Sequence, residues 1–162
     1  MPHRQALEQA QQHLNAARHL LHVTFPALKD AKLLTGVLGQ LFDAGETAME
    51  ALLLYERQLR LVPPFGKSFA SKFLVFRSSA RRNHLDTAHA RLLEELQELV
   101  ELQKNCPTEF RRSDGYVLAT DKFRLRTVAK KEVDGYYTRT QAFLADIEKL
   151  LQKGEKTDFK RK

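Results

Sequence analysis

The sequence predicts a mainly α protein: a single-domain antiparallel helical bundle of four to five helices, with a small β-hairpin or three-stranded meander before the last helix. Three observations carry this. Apolar residues recur at alternating steps of three and four over long stretches, which keeps them on one helical face. Prolines cut the chain into helix-length pieces at Phe25-Pro26, Val62-Pro63-Pro64-Phe65-Gly66 and Cys106-Pro107. Between residues 109 and 127 the apolar period shortens to two around an Asp-Gly pair.

The first helix is read from Leu7, Ala10, Leu14, Ala17 and Leu21. Phe25-Pro26 interrupts it, because Pro lacks an N–H and disfavours helical geometry in the residue before it, so a kink or a new start is expected there. Asp30 can cap the next helix, whose stripe of Leu33, Leu34, Val37, Leu38, Leu41, Phe42, Ala48, Met49 and Leu52 runs toward Arg60, a length of about 45 Å at 1.5 Å per residue. Gly36, Gly39 and Gly45 lie inside it. Each weakens the helix by up to ~1 kcal/mol relative to Ala, so close approach of another helix is the natural explanation.

Ser68 can cap a third helix through Phe69, Phe73, Leu74 and Phe76, with a bend or short loop expected at Ser78-Ser79, where the register is lost. A fourth starts near Asp86 and buries Leu92, Leu93, Leu96, Leu99, Val100 and Leu102, with Glu94, Glu95, Glu98 and Glu101 outside. Residues 109–112 and 116–119 read as a hairpin, since Asp114-Gly115 suits a two-residue type I′ turn. A third short strand is expected over 123–128, with Phe123 and Leu125 facing the bundle and Arg124 and Arg126 facing out. The last helix spans about Lys130 to Lys153 and buries Val133, Tyr136 or Tyr137, Thr140, Phe143, Leu144, Ile147 and Leu151. The domain is thus 1–153 with its β insert at about 109–127, and 154–162 is expected to be a polar, flexible tail.

At 162 residues, 43% hydrophobic and 29% charged, the chain should bury roughly two-thirds of its unfolded surface without metals or disulfides. Cys106 is the sole cysteine, so neither an internal disulfide nor a Cys-based zinc site can form within one chain. No signal-peptide core and no run of about 20 apolar residues is present, and the expected location is cytoplasmic, off the membrane. No cofactor is expected, because GxxxxGK[ST], GxGxxG, GxSxG and HExxH motifs do not occur.

The formal charge of +7 is uneven. Residues 1–66 sum to zero, 67–82 to +5, 83–102 to −4, 103–131 to +5 and 132–162 to +1. Two basic blocks therefore flank one acidic helix. Clustered Lys and Arg gain affinity for polyphosphates by releasing condensed counterions. The expected function is that of a non-catalytic binding protein for RNA or DNA through segments 67–82 and 111–131, provided the fold joins the two blocks into one surface. The residues are Lys67, Lys72, Arg77, Arg81, Arg82, Arg111, Arg112, Lys122, Arg124 and Arg126. Around the strands the arginines alternate with Phe110, Tyr116 and Phe123, an arrangement that suits phosphate contact or a plain solvated face. The alternative function is a protein-interaction or structural subunit, or a homodimer, packing through its glycine-bearing second helix.

Two further sets of residues have spacings that suggest chemistry. His13, His19 and His22 share the first helix, and a spacing of three is feasible for a metal, but no third ligand is indicated and no metal site is expected. Arg82-Asn83, followed by His89 after six intervening residues, resembles the Arg-x4-6-His motif of HEPN-superfamily RNases. That resemblance implies a helical bundle cleaving RNA with Arg and His from paired subunits, His moving the proton and Arg meeting the phosphate charge.

A broader resemblance rests on two strings. His19-Leu20-Leu21-His22-Val23-Thr24-Phe25-Pro26-Ala27-Leu28-Lys29-Asp30-Ala31-Lys32-Leu33-Leu34, and Cys106-Pro107-Thr108-Glu109-Phe110-Arg111-Arg112 through Tyr116-Val117 to Asp121-Lys122-Phe123-Arg124, are similar to a family of small, functionally uncharacterised helical proteins of archaea with small genomes. The resemblance implies a relative and no role. It also implies a Ser before Pro107 and a Ser or Thr where Ala129 stands, so Ala129-x-x-Glu132 is a capping box without its hydroxyl.

Overall fold

A computed structural model of the chain describes residues 1–105, 108–112, 115–119 and 125–161, with side chains over 1–105, 115–118 and 125–157. Cys106, Pro107, Lys122 and Arg124 lie outside the described residues, as do the side chains of Arg111 and Arg112. The protein is mainly α. Helices α1 (Pro2–His19), α2 (Phe25–Leu28), α3 (Lys32–Gln58), α4 (Phe69–Arg82) and α5 (Thr87–Lys104) precede strands β1 (Thr108–Arg112), β2 (Gly115–Ala119) and β3 (Leu125–Ala129), and α6 (Lys130–Arg161) follows.

α1 and α3 pack antiparallel, with His3 beside Tyr55, His13 bonded to Gln40 and Leu20 against Gly36. Helical structure does not break off at Pro26. A π-helical turn, Leu20–Thr24, holds one extra residue, and the Phe25 N–H donates to the Leu20 carbonyl. The widened turn lets helix continue through the proline to Leu28, and Lys29 ends it at φ 52°. Asp30 accepts from the Lys32 N–H at 3.0 Å but does not cap α3 as expected: the cap position is Ala31, which has no side-chain bond to offer.

The step from α3 to α4 is not antiparallel. The Phe69 ring lies 5.3 Å from that of Phe42, Lys72 reaches Glu46 and Glu50, and Ser79 meets Glu56, so the two helices run in the same direction. Residues 59–68 return along α3: Val62 is buried and the Arg57 guanidinium lies 4.9 Å from the Phe65 ring centroid. α5 runs antiparallel to α6, with His89 at Asp146 and Arg139 at Glu95. Gly45 explains one close approach, since an added Cβ would lie 2.7 Å from Leu93 Cδ2 of α5. Gly39 meets nothing within 4 Å, so packing does not account for it.

The β insert is a three-stranded antiparallel meander in the order β1-β2-β3. Arg112 pairs with Gly115, so Gly115 is the first residue of β2 rather than part of the turn. A side chain there would strike the β3 backbone at Val128 and Ala129. On β3 the expected faces are reversed: Val128 is 0% exposed and Leu125 69% exposed, which turns Arg126 to the inner side. There Arg126 donates to both Glu132 oxygens at the start of α6. With no hydroxyl at Ala129 to complete a capping box, the Glu132 carboxylate is committed to this bridge.

Two expected boundaries move. α4 runs without a bend through Ser78 and Ser79 to Arg82, because buried Ser79 finds its partner in Glu56. α6 continues beyond Lys153 to Arg161, so the expected tail is helical; Glu155 is held there by His3 and by Arg4 Nε at 2.8 Å. The Arg4 guanidinium keeps the Glu155 carboxyl below its ordinary pKa, a direction that favours the bridge.

Candidate nucleic-acid interface

α4 orients the charges of segment 67–82, starting from Ser68, whose hydroxyl accepts from the Ser71 N–H at 3.2 Å. Lys72, Phe76 and Ser79 follow at steps of four and three and are buried against α3. Lys72 Nζ lies 3.3 Å from Glu50 and 3.5 Å from Glu46. In its last turn α3 presents Glu56, 3% exposed. Its carboxylate accepts from the Ser79 hydroxyl, from Arg82 Nη2 at 2.7 Å and from Asn83 Nδ2 at 3.2 Å. Arg82 Nη1 also donates to the Leu61 carbonyl at 3.3 Å. Two of the block's five cations, Lys72 and Arg82, are therefore neutralised from within.

The other three, Lys67, Arg77 and Arg81, are exposed, and among the described residues none has an ion pair or hydrogen bond. Arg77 and Arg81 are one turn apart on one face. The antiparallel α5 adds Arg91, also exposed and unpaired among the described residues. Arg77, Arg81 and Arg91 line one cleft of about 250 Å³ together with Asp86 and Glu94. Asp86 accepts from the Ala88 N–H at 2.9 Å as the cap of α5. The cleft shares Arg77 and Glu94 with a second of about 480 Å³, lined by Phe69, Phe73, Leu74, Gln97 and Glu98, so the two form one groove between α4 and α5.

The described cations of the second basic block, Arg126 and Lys130, are held by carboxylates of α6 and lie apart from this edge. Tyr116 of β2 accepts a hydrogen bond from Gln103 in the last turn of α5, twelve residues or about 18 Å along the helix from Arg91. Glu94, Glu95, Glu98 and Glu101 stand between them. Within that block Arg126 is bridged to Glu132, whose charge raises the arginine pKa further, and Lys130 pairs with Asp134 at 3.1 Å. Arg111 and Arg112 sit on β1 with side chains outside the described residues, which also exclude Lys122 and Arg124.

Arg82 and His89 are held by different carboxylates. Arg82 ends α4 against Glu56, whereas His89, 7% exposed, meets Asp146 Oδ2 at 2.7 Å with its ring 5.1 Å from that of Phe143. The helix-one histidines are also dispersed: His13 bonds Gln40, His19 lies 3.4 Å from Thr24, and His22 packs edge-on to Tyr137. No group of three metal-ligating side chains exists among the described residues.

Sequence reasoning passed over Glu56, Ser79 and Arg91. Glu56 follows Leu52 by four on the buried stripe of α3, and Ser79 follows Phe76 by three on that of α4. A polar residue in a core position was the available signal. Among the described residues no helix is long and apolar enough to cross a membrane. No protein-family model, curated protein or solved structure matches the chain.

Proposed function

We propose that the protein binds an anionic partner, RNA or DNA, without catalysis, through the outer edge of α4 and the first half of α5. Lys67, Arg77, Arg81 and Arg91 are the contacting cations. One observation carries the reading: Arg77, Arg81 and Arg91 line one cleft, beside Asp86 and Glu94, and none has a salt bridge among the described residues, while Arg4, Arg82, Arg126 and Arg139 are each held by a carboxylate. An unpaired surface arginine keeps its fork of donors available for phosphate oxygens. The tie of His89 to Asp146 supports a structural role for that ring, and with it the non-catalytic reading. A chain with one cysteine suits a reducing compartment, and a cytoplasmic location belongs to the same proposal.

Fluorescence anisotropy with short RNA and DNA at low and high salt tests it. Binding should weaken steeply as salt rises, since each neutralised phosphate adds to the slope. Absence of binding at low salt would remove the proposal.

A further inference from the structure

Resting on that reading, we propose that the α4–α5 groove takes a single strand, with an unstacked base lying on the Phe69–Phe73 platform. The phosphate on that nucleotide then meets Arg77. The Phe69 and Phe73 rings are stacked, 5.3 Å apart and 17° from parallel, and both are half-buried at the groove wall. Behind them Phe76 lies 6.3 Å from Phe73 and 5.8 Å from Phe143, so the platform is fixed to the core and needs no ordering on binding. Leu74 beside it is 72% exposed.

Arg77 follows Phe73 by one helical turn, about 5.4 Å along the axis, a step on the scale of one nucleotide. The facing wall differs in kind. The Glu94 and Glu98 carboxylates of α5 repel a phosphate chain, and they and the Gln97 carbonyl accept from base amino and imino groups. The backbone is thereby confined to the arginine side and the base directed across the groove. At about 480 Å³ the wider part of the groove is in the range of small-ligand sites.

A duplex has no free base face to lay on the rings, and sequence-tolerant single-strand sites use such aromatic platforms beside a basic track. An amphipathic helix would need apolar contact on both walls, and α5 supplies none in this stretch.

The test is anisotropy at low salt with four labelled probes: a single-stranded RNA 10-mer, the matching DNA 10-mer, its duplex, and a 10-mer of abasic sugar-phosphate. Both base-bearing single strands should bind about tenfold more tightly than the duplex and the abasic chain, the size expected for one or two stacked bases. Phe73→Leu, which keeps apolar bulk but removes the ring, should erase the difference between base-bearing and abasic strands.

Equal binding of abasic and base-bearing strands would overturn the platform while leaving phosphate binding at the arginine edge intact. Tighter binding of the duplex would overturn it as well. A dimer by light scattering that dissociates on Leu74→Glu would assign the groove to a second copy and sink the proposal. The probe comparison uses the unaltered protein, so it decides even where Phe73→Leu fails to fold.

Discussion

The inner and outer faces of α4 carry the same kinds of cation under opposite conditions. On the inner face Lys72 and Arg82 are met by Glu46, Glu50 and Glu56 of α3, and Ser79 fills a core position by donating to Glu56. Among the described buried side-chain atoms only His3 Nδ1 lacks a partner. On the outer face Arg77 and Arg81, like Lys67 just before the helix, have none among the described residues. A buried cation costs several kcal/mol of desolvation unless paired, whereas an exposed one costs little and keeps its valence for a ligand. Segment charge alone does not separate the two; the helical period does, once the polar residues on the buried stripe are seen to face another helix.

The largest effect should come from breaking the inner face. Glu56→Ala removes the carboxylate that Ser79, Asn83 and the partly exposed Arg82 share, leaving Arg82 only the Leu61 carbonyl, and should lower unfolding stability by about 3 kcal/mol in urea titration. A loss as small as that of an exposed glutamate would mean the network is not what joins α3 to α4.

The paired cations of the β3–α6 corner give a pH-dependent version of the same contrast. Burial, and then the Glu132 charge, push the Tyr136 phenol from 10.0 up to about 12, and the Arg139 guanidinium lies 5.6 Å from its ring. The neutral phenol is thus favoured in the folded state. The stability it contributes is complete below pH 10 and is lost as pH rises toward 12. The wild-type urea midpoint should fall over this window, and Tyr136→Phe should fall less; identical curves would place the alkaline loss elsewhere.

A smaller gain is available where α4 ends. His84 sits at φ 56° and Leu85 N–H closes on the Ala80 carbonyl at 2.9 Å, a left-handed cap of the kind glycine favours. His84→Gly should stabilise the protein by about 1 kcal/mol, read as a higher melting temperature with no change in oligonucleotide binding. Arg60, at φ 60°, repeats the motif after α3.

Much of the helical scaffold was legible because single-element periodicity specifies it: the buried positions of α5 and the Val133 to Leu151 stripe of α6 fall where their spacing puts them. What was not legible depends on partners remote in sequence. The extension of α6 to Arg161 is tied by Glu155 to His3 and Arg4 across the whole chain. The straight run through Ser79 relies on Glu56, and the reversed faces of β3 on the bridge from Arg126 to Glu132. The parallel step from α3 to α4 comes from a returning loop whose Pro63-Pro64 signals a break but not its direction. The candidate site was half visible for the same reason: its cations could be counted, while their carboxylate partners could not be placed.

The proposed interface requires that unpaired arginines bind and paired ones do not. The most direct test is the salt dependence of single-strand affinity for the wild type, for Arg77→Ala/Arg81→Ala/Arg91→Ala, and for the control Arg126→Gln/Arg139→Gln. The triple variant should lose roughly 2 units of slope in log K against log salt, about 0.7 for each arginine on a single strand, while the control keeps the wild-type slope. Equal losses in both variants, or an unchanged slope in the triple variant, would contradict the account.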